Sequence, residues 1–149
     1  MNNHTILITG ANRGLGLEFT KQYAADGWHV LACCRELQSA RALRDLAATH
    51  ANIQVHGLDV GDFATISALS AQLKDIAIDV LINNAGVYPE SSFNDTNEAD
   101  WLEAFKINTI APMKMAEAFT PQLAKSELKK LVTLSSKMGS VDDNGGGGS

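Results

Sequence analysis

Short apolar segments alternate with helix-length amphipathic stretches along most of this 149-residue chain. Five of these segments are predicted strands, namely 4–9, 28–34, 53–56, 80–82 and 130–135. Strands that alternate with helices predict a parallel sheet with right-handed crossovers, which is a doubly wound α/β fold. The third segment alternates apolar and polar residues, as a strand covered on one face does. We therefore expect it at an edge of the sheet, in the strand order 3-2-1-4-5.

The first predicted helix spans 15–26 and is closed by Gly27. Leu15, Phe19 and Tyr23 recur in it at intervals of four residues, which is the spacing of one helix face. The sequence therefore predicts that these three side chains form the core face of this helix. Asp62 is placed to cap the third predicted helix.

The segment 9–16, with the sequence TGANRGLG, lies between the first predicted strand and the first predicted helix. Its glycines permit a tight turn and a close approach of the backbone to a phosphate, and the last of them permits close packing of helix on strand. A diphosphate at this position meets free N–H groups at a helix N-terminus. Glycines also occur in ordinary turns, but the position of this motif in a β-α-β unit predicts a dinucleotide site. The candidate ligand residues of the loop are Gly10, Asn12, Arg13, Gly14, Leu15 and Gly16.

The end of the second predicted strand indicates which dinucleotide is bound. An acidic residue there would accept a hydrogen bond from a free ribose 2′-hydroxyl, but this strand ends in Cys34-Arg35. Arg13 lies in the glycine loop, and we expect the two guanidinium groups to converge on a 2′-phosphate. The sequence thus favours NADP over NAD, with two solvated surface arginines as the alternative interpretation.

Together with the glycine loop, later motifs resemble those of the short-chain dehydrogenase/reductase family, which has the Rossmann fold. Asp59 and Val60 follow the third strand, where the family holds the adenine ring. The sequence Asn83-Asn84-Ala85-Gly86 matches the Asn-Asn-Ala-Gly motif that borders the cofactor ribose. The resemblance implies that Asn83, Ala85 and Gly86 contact the cofactor.

Two further matches concern catalysis. Asn108 matches the asparagine of the family's catalytic set, and Ser136 matches its catalytic serine. A serine hydroxyl at the carboxyl end of a strand can donate to a substrate carbonyl oxygen as negative charge develops on it. The motifs look closest to the branch of C-factor and sniffer-type carbonyl reductases. The resemblance therefore implies hydride transfer between nicotinamide and a small-molecule carbonyl or alcohol substrate.

The long predicted helix 97–124 has a polar residue in an apolar face. That face consists of Trp101, Phe105, Asn108, Pro112 and Met115. Pro112 lacks an N–H group, so the Asn108 carbonyl loses its helical partner and we expect a kink there. The freed carbonyl would suit the water that this asparagine helps to hold in family members, and a structural asparagine at a proline kink is the alternative. The resemblance also implies that helix 97–124 contributes to a homo-oligomer.

The family's proton donor is a tyrosine followed four residues later by a lysine, downstream of the serine. The two tyrosines of this chain are Tyr23 and Tyr88, followed four residues later by Gly27 and Ser92. We therefore interpret the chain as the N-terminal part of a reductase, truncated before the last strands and inactive by itself. A cofactor-binding regulatory or signalling module of the C-factor type, without required catalysis, is the alternative function.

Composition excludes several other classes of function. Lys and Arg number 12 against 17 Asp and Glu, so the formal charge is −5 and a nucleic-acid partner is not expected. No apolar run approaches the roughly 20 residues that span a bilayer, so no membrane partner is expected. The four histidines show no metal-ligand spacing, so no metal is expected.

Two adjacent cysteines, Cys33 and Cys34, are too close for ordinary disulfide geometry and lie in an apolar strand. We interpret them as buried, unreactive thiols in a reducing compartment, the cytoplasm. Residues 1–139 are interpreted as one dinucleotide-binding domain. Residues 140–149 form a flexible, glycine-rich tail by composition, either a native loop or an added linker.

Overall fold

The computed structural model describes residues 4–92, 94–136 and 139–140. Within these residues, five parallel strands form one sheet in the order β3-β2-β1-β4-β5, so the predicted order is confirmed. The strands are β1 Thr5–Thr9, β2 His29–Cys34, β3 Ile53–Gly57, β4 Val80–Asn83 and β5 Lys130–Thr133. The α-helices are α1 Gly14–Ala25, α2 Arg41–Thr49, α3 Phe63–Gln72, α4 Glu98–Phe105 and α5 Ala111–Lys125. Of the predicted tail, 141–149 lies outside the described residues, as do Lys137 and Met138.

The core has two layers because successive side chains of each strand point to opposite faces of the sheet. One layer lies between the sheet and helices α3 and α5, and it includes Leu7, Leu81 and the fully buried Phe119. The other lies between the sheet and helices α1 and α2, and it includes Ile6 and Leu43. All five residues of β1 are buried, as expected for the central strand of a parallel sheet.

The core face predicted for α1 is wrong by one position. The buried residues of this helix are Gly16, Thr20 and Ala24, whereas Leu15 is 64% exposed. Phe19 and Tyr23 are only partly buried at the side of the second layer. The reason is the closeness of the helix to β1, because a Cβ atom on Gly16 would overlap the carbonyl oxygen of Gly10. Only small side chains fit on the line of closest approach, and the large ones pack beside it.

The long helix predicted over 97–124 is confirmed in extent, because residues 98–125 are helical without a break, but its helical repeat is not constant. A π-helical turn, Lys106–Ile110, separates α4 from α5, and the Ala111 N–H donates to the Lys106 carbonyl five residues earlier. This turn comes directly before Pro112, where the sequence predicts an irregularity, and it adds a residue to the helical repeat. The predicted apolar stripe is therefore not one buried face. Trp101 and Phe105 on α4 are more than half exposed, whereas Met115 on α5 is fully buried.

Asp79 connects three elements at the amino-terminal edge of the sheet. Its buried carboxylate accepts hydrogen bonds from the backbone N–H of Thr5 at 2.9 Å, Glu127 at 3.2 Å and Leu128 at 3.3 Å. The Nδ1 atom of His4 lies 3.3 Å from the same carboxylate. One side chain thus fixes the starts of β1 and β4 and the turn that leads into β5.

Candidate functional site

A cleft of about 590 Å³ opens at the carboxyl ends of the parallel strands. The segments that follow β1, β2, β3 and β4 all contribute to its lining, and Ile107 of the π-helical turn adds to it. Strand β1 lies between β2 and β4, so the chain leaves the sheet in opposite directions on the two sides of the cleft. In open α/β sheets, ligands bind in the crevice at this switch point.

The glycine loop forms the floor of the cleft. Gly10 and Gly14 have φ angles of +67° and +54°, which residues other than glycine rarely adopt. A Cβ atom on Gly10 would also lie 2.9 Å from the Cα atom of Ala85, so the loop and the segment after β4 touch through their backbones. Helix α1 begins at Gly14, directly beneath this loop.

Among the described residues, no side chain caps the first turn of α1, and no acidic residue lies in that turn. Its N–H groups, next to the cleft-lining Gly14 and Leu15, therefore remain available to an anion at the positive end of the helix dipole. Gly10, Asn12 and Arg13 line the same end of the cleft. These residues fit the diphosphate of a dinucleotide, since the cradle supplies free donors and lacks a Cβ atom where the ligand must approach.

Thr9 and Asn84 join the ends of β1 and β4. The Thr9 hydroxyl accepts hydrogen bonds from the backbone N–H of Asn84 and Ala85, each at 3.0 Å. In return, the Asn84 side chain donates to the carbonyl oxygens of Thr9 at 2.9 Å and Gly10 at 3.1 Å. These two side chains hold the glycine loop against the segment after β4, as the scaffold of the site.

Asn83 and Asn84 are adjacent in the sequence, but their side chains lie in different places. Asn84, Ala85 and Gly86 line the cleft. The side chain of Asn83 is instead buried beside β5, 3.4 Å from the Pro112 carbonyl oxygen and 3.5 Å from the Thr133 hydroxyl. Gly16 is likewise buried behind the loop and does not line the cleft. Both residues shape the site from behind.

Arg13 and Arg35 line the same cleft, and both are exposed. The Nε atom of Arg35 lies 3.9 Å from Oε1 of Glu36, which also lines the cleft together with Ser39. The sequence prediction did not include Glu36 and Ser39. Their position in the turn directly after β2 was the available signal, because in dinucleotide-binding folds of this class the ribose lies near the end of the second strand.

The segment after β3 supplies the opposite wall. Leu58, Asp59 and Val60 line the cleft, and the contact of Asp59 and Val60 with a cofactor stays a prediction. The carboxylate of Asp59 accepts a hydrogen bond from the Gly61 N–H at 2.9 Å, and its carbonyl accepts one from the Thr65 hydroxyl at 2.7 Å. The Asp59 carboxylate thus fixes the turn, and the apolar neighbours offer a surface for a flat ring.

Asn108 uses both polar atoms of its side chain on one residue. Its Nδ2 donates to the Val87 carbonyl oxygen at 2.7 Å, and its Oδ1 accepts from the Val87 N–H at 2.9 Å. A Cβ atom on Gly86 would lie 3.2 Å from the same Oδ1, so the pair fits closely. Val87 lines the cleft, and Asn108 therefore holds one wall of it from the π-helical turn.

Ser136 lies three residues beyond the end of β5, at the same edge of the sheet as the cleft. Strand β5 pairs with β4 up to Asn83 and Thr133, and the Leu134 N–H donates to the Asn83 carbonyl oxygen. This pairing directs the exposed Ser136 toward the carboxyl edge of the sheet. Neither Ser136 nor Asn108 is among the cleft-lining residues.

Both cysteines are buried in β2, as predicted. Burial, with a smaller contribution from Cys34, raises the pKa of the Cys33 thiol far above its ordinary value. Burial and then the charge of Glu36 raise the pKa of Cys34. Neither thiol is an activated nucleophile.

Over the described ranges, no helix has the length and apolar character that crossing a membrane requires. In the same part of the chain, no group of three His, Cys, Asp or Glu side chains is arranged to hold a metal ion.

The sheet order and the glycine-floored cleft define an α/β domain of the Rossmann class. A family model described as short chain dehydrogenase matches residues 4–147. The chain belongs to the short-chain dehydrogenase family, which confirms the resemblance seen in its motifs.

Similar proteins include oxidoreductases from several kingdoms. Galactitol 2-dehydrogenase of Agrobacterium fabrum is 33% identical over 142 residues, which cover 93% of this chain and 55% of that protein. The NADPH-bound carbonyl reductase from chicken fatty liver has a TM-score of 0.86 and 34% identity, covering 96% of this chain and 63% of that one. Carbonyl reductase Sniffer of D. melanogaster has a TM-score of 0.86 and 32% identity, covering 99% and 67%. The chain spans about half the length of the curated relatives that it matches.

Proposed function

We propose that this chain forms the cofactor-binding half of an NADP(H)-dependent oxidoreductase that acts on small carbonyl or alcohol substrates. The observation that carries the proposal is the presence of Arg13 and Arg35 in one cleft with the uncapped first turn of α1. The helix terminus suits a diphosphate, and the guanidinium groups suit a 2′-phosphate. Structural neighbours with NADPH or NADP bound support this choice of cofactor.

The bound nicotinamide would supply a hydride to the substrate carbonyl carbon. The residues of this chain would bind and orient the cofactor. The N–H groups of α1 would bind the diphosphate, and Leu58 and Val60 would provide the apolar surface for the adenine ring. Asn108 positions the wall formed by Gly86 and Val87, through its two hydrogen bonds to Val87.

Ser136 and Asn108 would complete this chain's share of the reaction centre. The Ser136 hydroxyl donates a hydrogen bond to the substrate oxygen, which gains negative charge in the transition state. Asn108 would help to hold a water molecule, as the matching asparagine does in family members.

We propose that neither tyrosine of this chain acts as the proton donor. Neither Tyr23 nor Tyr88 is followed four residues later by a lysine, and Tyr23 packs edge-on against Trp28 and does not line the cleft. We therefore expect the isolated chain to bind cofactor without turnover. Its two buried free thiols, Cys33 and Cys34, suit a reducing compartment such as the cytoplasm.

NADPH is expected to bind the 149-residue chain at least tenfold more tightly than NADH, in fluorescence titrations at fixed salt. The Arg35→Gln variant should lose most of that preference, because one of the two cations facing the 2′-phosphate is removed. Arg44→Gln is the matched control, since Arg44 is exposed on α2 and does not line the cleft. Equal affinity of the unchanged chain for the two nucleotides would contradict the proposal.

We also propose that a second copy of the chain covers the exposed apolar face of α4. Trp101, Leu102 and Phe105 are 54%, 70% and 56% exposed there, and Met113 on α5 is 62% exposed. Apolar side chains grouped in this way are typical of an interface. Leu102→Glu should shift sedimentation equilibrium toward the monomer, whereas Leu15→Glu, which changes an exposed leucine elsewhere, should not. A monomeric unchanged chain at high concentration would refute this interface.

A further inference from the structure

We infer that α4 controls the affinity of the cleft for its nucleotide, because α4 and the π-helical turn hold the two walls of the cleft in place. This inference rests on the proposed function and assigns the regulation of that site. It gives α4 a role although no residue of Glu98–Phe105 lines the cleft.

The end of α4 and the π-helical turn contact both walls of the cleft. On one side, a Cβ atom on Gly61 would lie 3.4 Å from Oε1 of Glu103 and 3.6 Å from Cγ1 of Ile107, so this segment packs directly against the turn that follows β3. On the other side, the Asn108 side chain makes both of its hydrogen bonds with the backbone of Val87. Ile107 and Val87 line the cleft, so a movement of the π-helical turn would move both walls.

The geometry of the π-helical turn depends on α4. The Lys106 N–H at the start of this turn donates to the carbonyl oxygens of Leu102 and Glu103. The Nζ atom of Lys106 lies 3.9 Å from Oε2 of Glu103 and 5.8 Å from the centre of the Phe63 ring on α3, which suits a cation–π contact. Unwinding of α4 would remove the acceptors of the Lys106 N–H and release the turn that holds the two walls.

Helix α4 is weakly anchored to the rest of the domain. The structure describes all eight of its residues and none is buried, whereas α5 has four buried residues. A helical segment of this length is marginal in water without tertiary packing. Its first turn is stabilised by the Asn97 side chain, which accepts from the N–H groups of Ala99 at 3.0 Å and Asp100 at 3.4 Å. Local unfolding of α4 therefore requires less free energy than unfolding of the domain.

Nucleotide binding and the folding of α4 are therefore linked with a positive sign. A nucleotide that contacts both walls binds the state in which α4 is folded, so binding makes local unfolding of α4 rarer. The same relation holds in reverse, because a contact that stabilises α4 raises the affinity for the nucleotide by the same factor. The second copy proposed to cover the exposed face of α4 would act in this way.

Hydrogen exchange of the 149-residue chain, followed by mass spectrometry with and without NADPH, tests this link. With NADPH at about twenty times its dissociation constant, exchange of the amides of residues 98–105 should slow by roughly twentyfold, since unfolding of α4 would have to expel the nucleotide. Residues 46–49, the last turn of α2, are the internal control because they do not line the cleft. Fraying of that turn leaves both walls in place, so its exchange should change by less than about twofold.

The outcomes separate this inference from the proposed function. Equal slowing in both segments would show that NADPH stabilises the fold as a whole, and it would overturn the role of α4. Unchanged exchange in α4, with NADPH bound in fluorescence titrations, would refute the link and leave the nucleotide site standing. If the chain does not bind NADPH at all, the nucleotide site is refuted and the role of α4 with it.

Asn97→Ala tests the reverse direction. The substitution removes the cap of α4 and lowers the equilibrium constant for folding of that helix by about fivefold. NADPH should then bind about two- to fivefold more weakly, although Asn97 does not line the cleft. Glu117→Gly is the matched control, because it weakens α5 by a similar amount at an exposed position of a helix that buried residues anchor. Its affinity for NADPH should equal that of the unchanged chain.

Two results of this substitution would overturn the inference. One is faster exchange of α4 in Asn97→Ala together with an unchanged affinity for NADPH. The other is an equal loss of affinity in Glu117→Gly. The exchange experiment on the unchanged chain needs no substitution, and it decides the question if Asn97→Ala does not fold.

Discussion

Replacing Gly16 by alanine is expected to lower the free energy of unfolding by about 3 kcal/mol and to abolish nucleotide binding. The new Cβ atom would overlap the Gly10 carbonyl oxygen and lie 2.9 Å from its carbonyl carbon. Both are backbone atoms, so no side-chain rotation relieves the overlap. Helix α1 would have to move away from β1, and the glycine loop that joins them would move with it.

Gly57→Ala is the matched control for this change. Its Cβ atom would meet only the end of the Leu37 side chain, at 3.4 Å, and Leu37 can rotate away. We expect an effect within about 0.5 kcal/mol. Urea denaturation gives the stability of both variants, and titration with 2′,5′-ADP gives their binding. Unfolding of Gly16→Ala at the same urea concentration as the unchanged chain would contradict the close packing of α1 on β1.

The second large effect is expected at Asp79. Asp79→Asn should lower the free energy of unfolding by about 3 kcal/mol. The carboxylate accepts three backbone N–H groups, from Thr5, Glu127 and Leu128. An amide has one oxygen, so its NH₂ group would point at N–H donors in a buried site. The ends of β1, β4 and β5 that Asp79 holds together would separate first.

The same carboxylate makes stability depend on pH. Burial by itself raises the pKa of Asp79. The hydrogen bonds from the backbone N–H groups of Thr5, Leu128 and Glu127, together with the nearby His4, lower it by a larger amount. The pKa of Asp79 in the folded state therefore lies below its ordinary value. A folded-state pKa below the unfolded-state pKa means that Asp79 stabilises the fold above about pH 4, and that this contribution is lost as the pH falls through the folded-state pKa. Urea unfolding between about pH 6 and pH 3 should therefore show a steeper acid loss for the unchanged chain than for Asp79→Asn.

Asp75→Asn is the control for both Asp79 measurements, because Asp75 is an exposed residue of the loop that leads to β4. It should change neither the stability at neutral pH nor the slope below it. Parallel acid profiles of the unchanged chain and Asp79→Asn would mean that the pKa of Asp79 is the same in the folded and unfolded states, which would contradict the prediction.

The strand order could be predicted from the sequence, because the degree of burial of each strand determines its pattern of apolar residues. The apolar residues of β1 and β4 predict central strands, and the alternation in β3 predicts an edge, as the structure shows. The segments after β1 and β4 could also be predicted, because glycine and asparagine motifs lie directly after those strands. Neighbouring strands of a parallel sheet end at the same edge, so the segments that follow them lie close together.

The distance between a helix and the sheet cannot be predicted from the sequence in the same way. Hydrophobic periodicity selects the largest side chains, so it predicts Leu15 for the core although Gly16 lies on the line of closest approach. It also assumes a constant helical repeat, which the π-helical turn at Lys106–Ile110 interrupts. The choice between Asn83 and Asn84 depends on where β4 ends, and a shift of one residue exchanges the cleft for the core.

The hydrogen bonds of Thr9 and Asn84 across the ends of β1 and β4 mean that the glycine loop, which we propose binds the diphosphate, is ordered when the sheet folds. Ordering that loop is a cost of folding, already met before any nucleotide arrives. Nucleotide binding at the proposed site would then require little rearrangement of the backbone, and its affinity would not be reduced by the entropy of ordering the loop. Loss of the Thr9 or Asn84 hydrogen bonds should therefore slow and weaken nucleotide binding, even where every proposed phosphate-binding residue is retained.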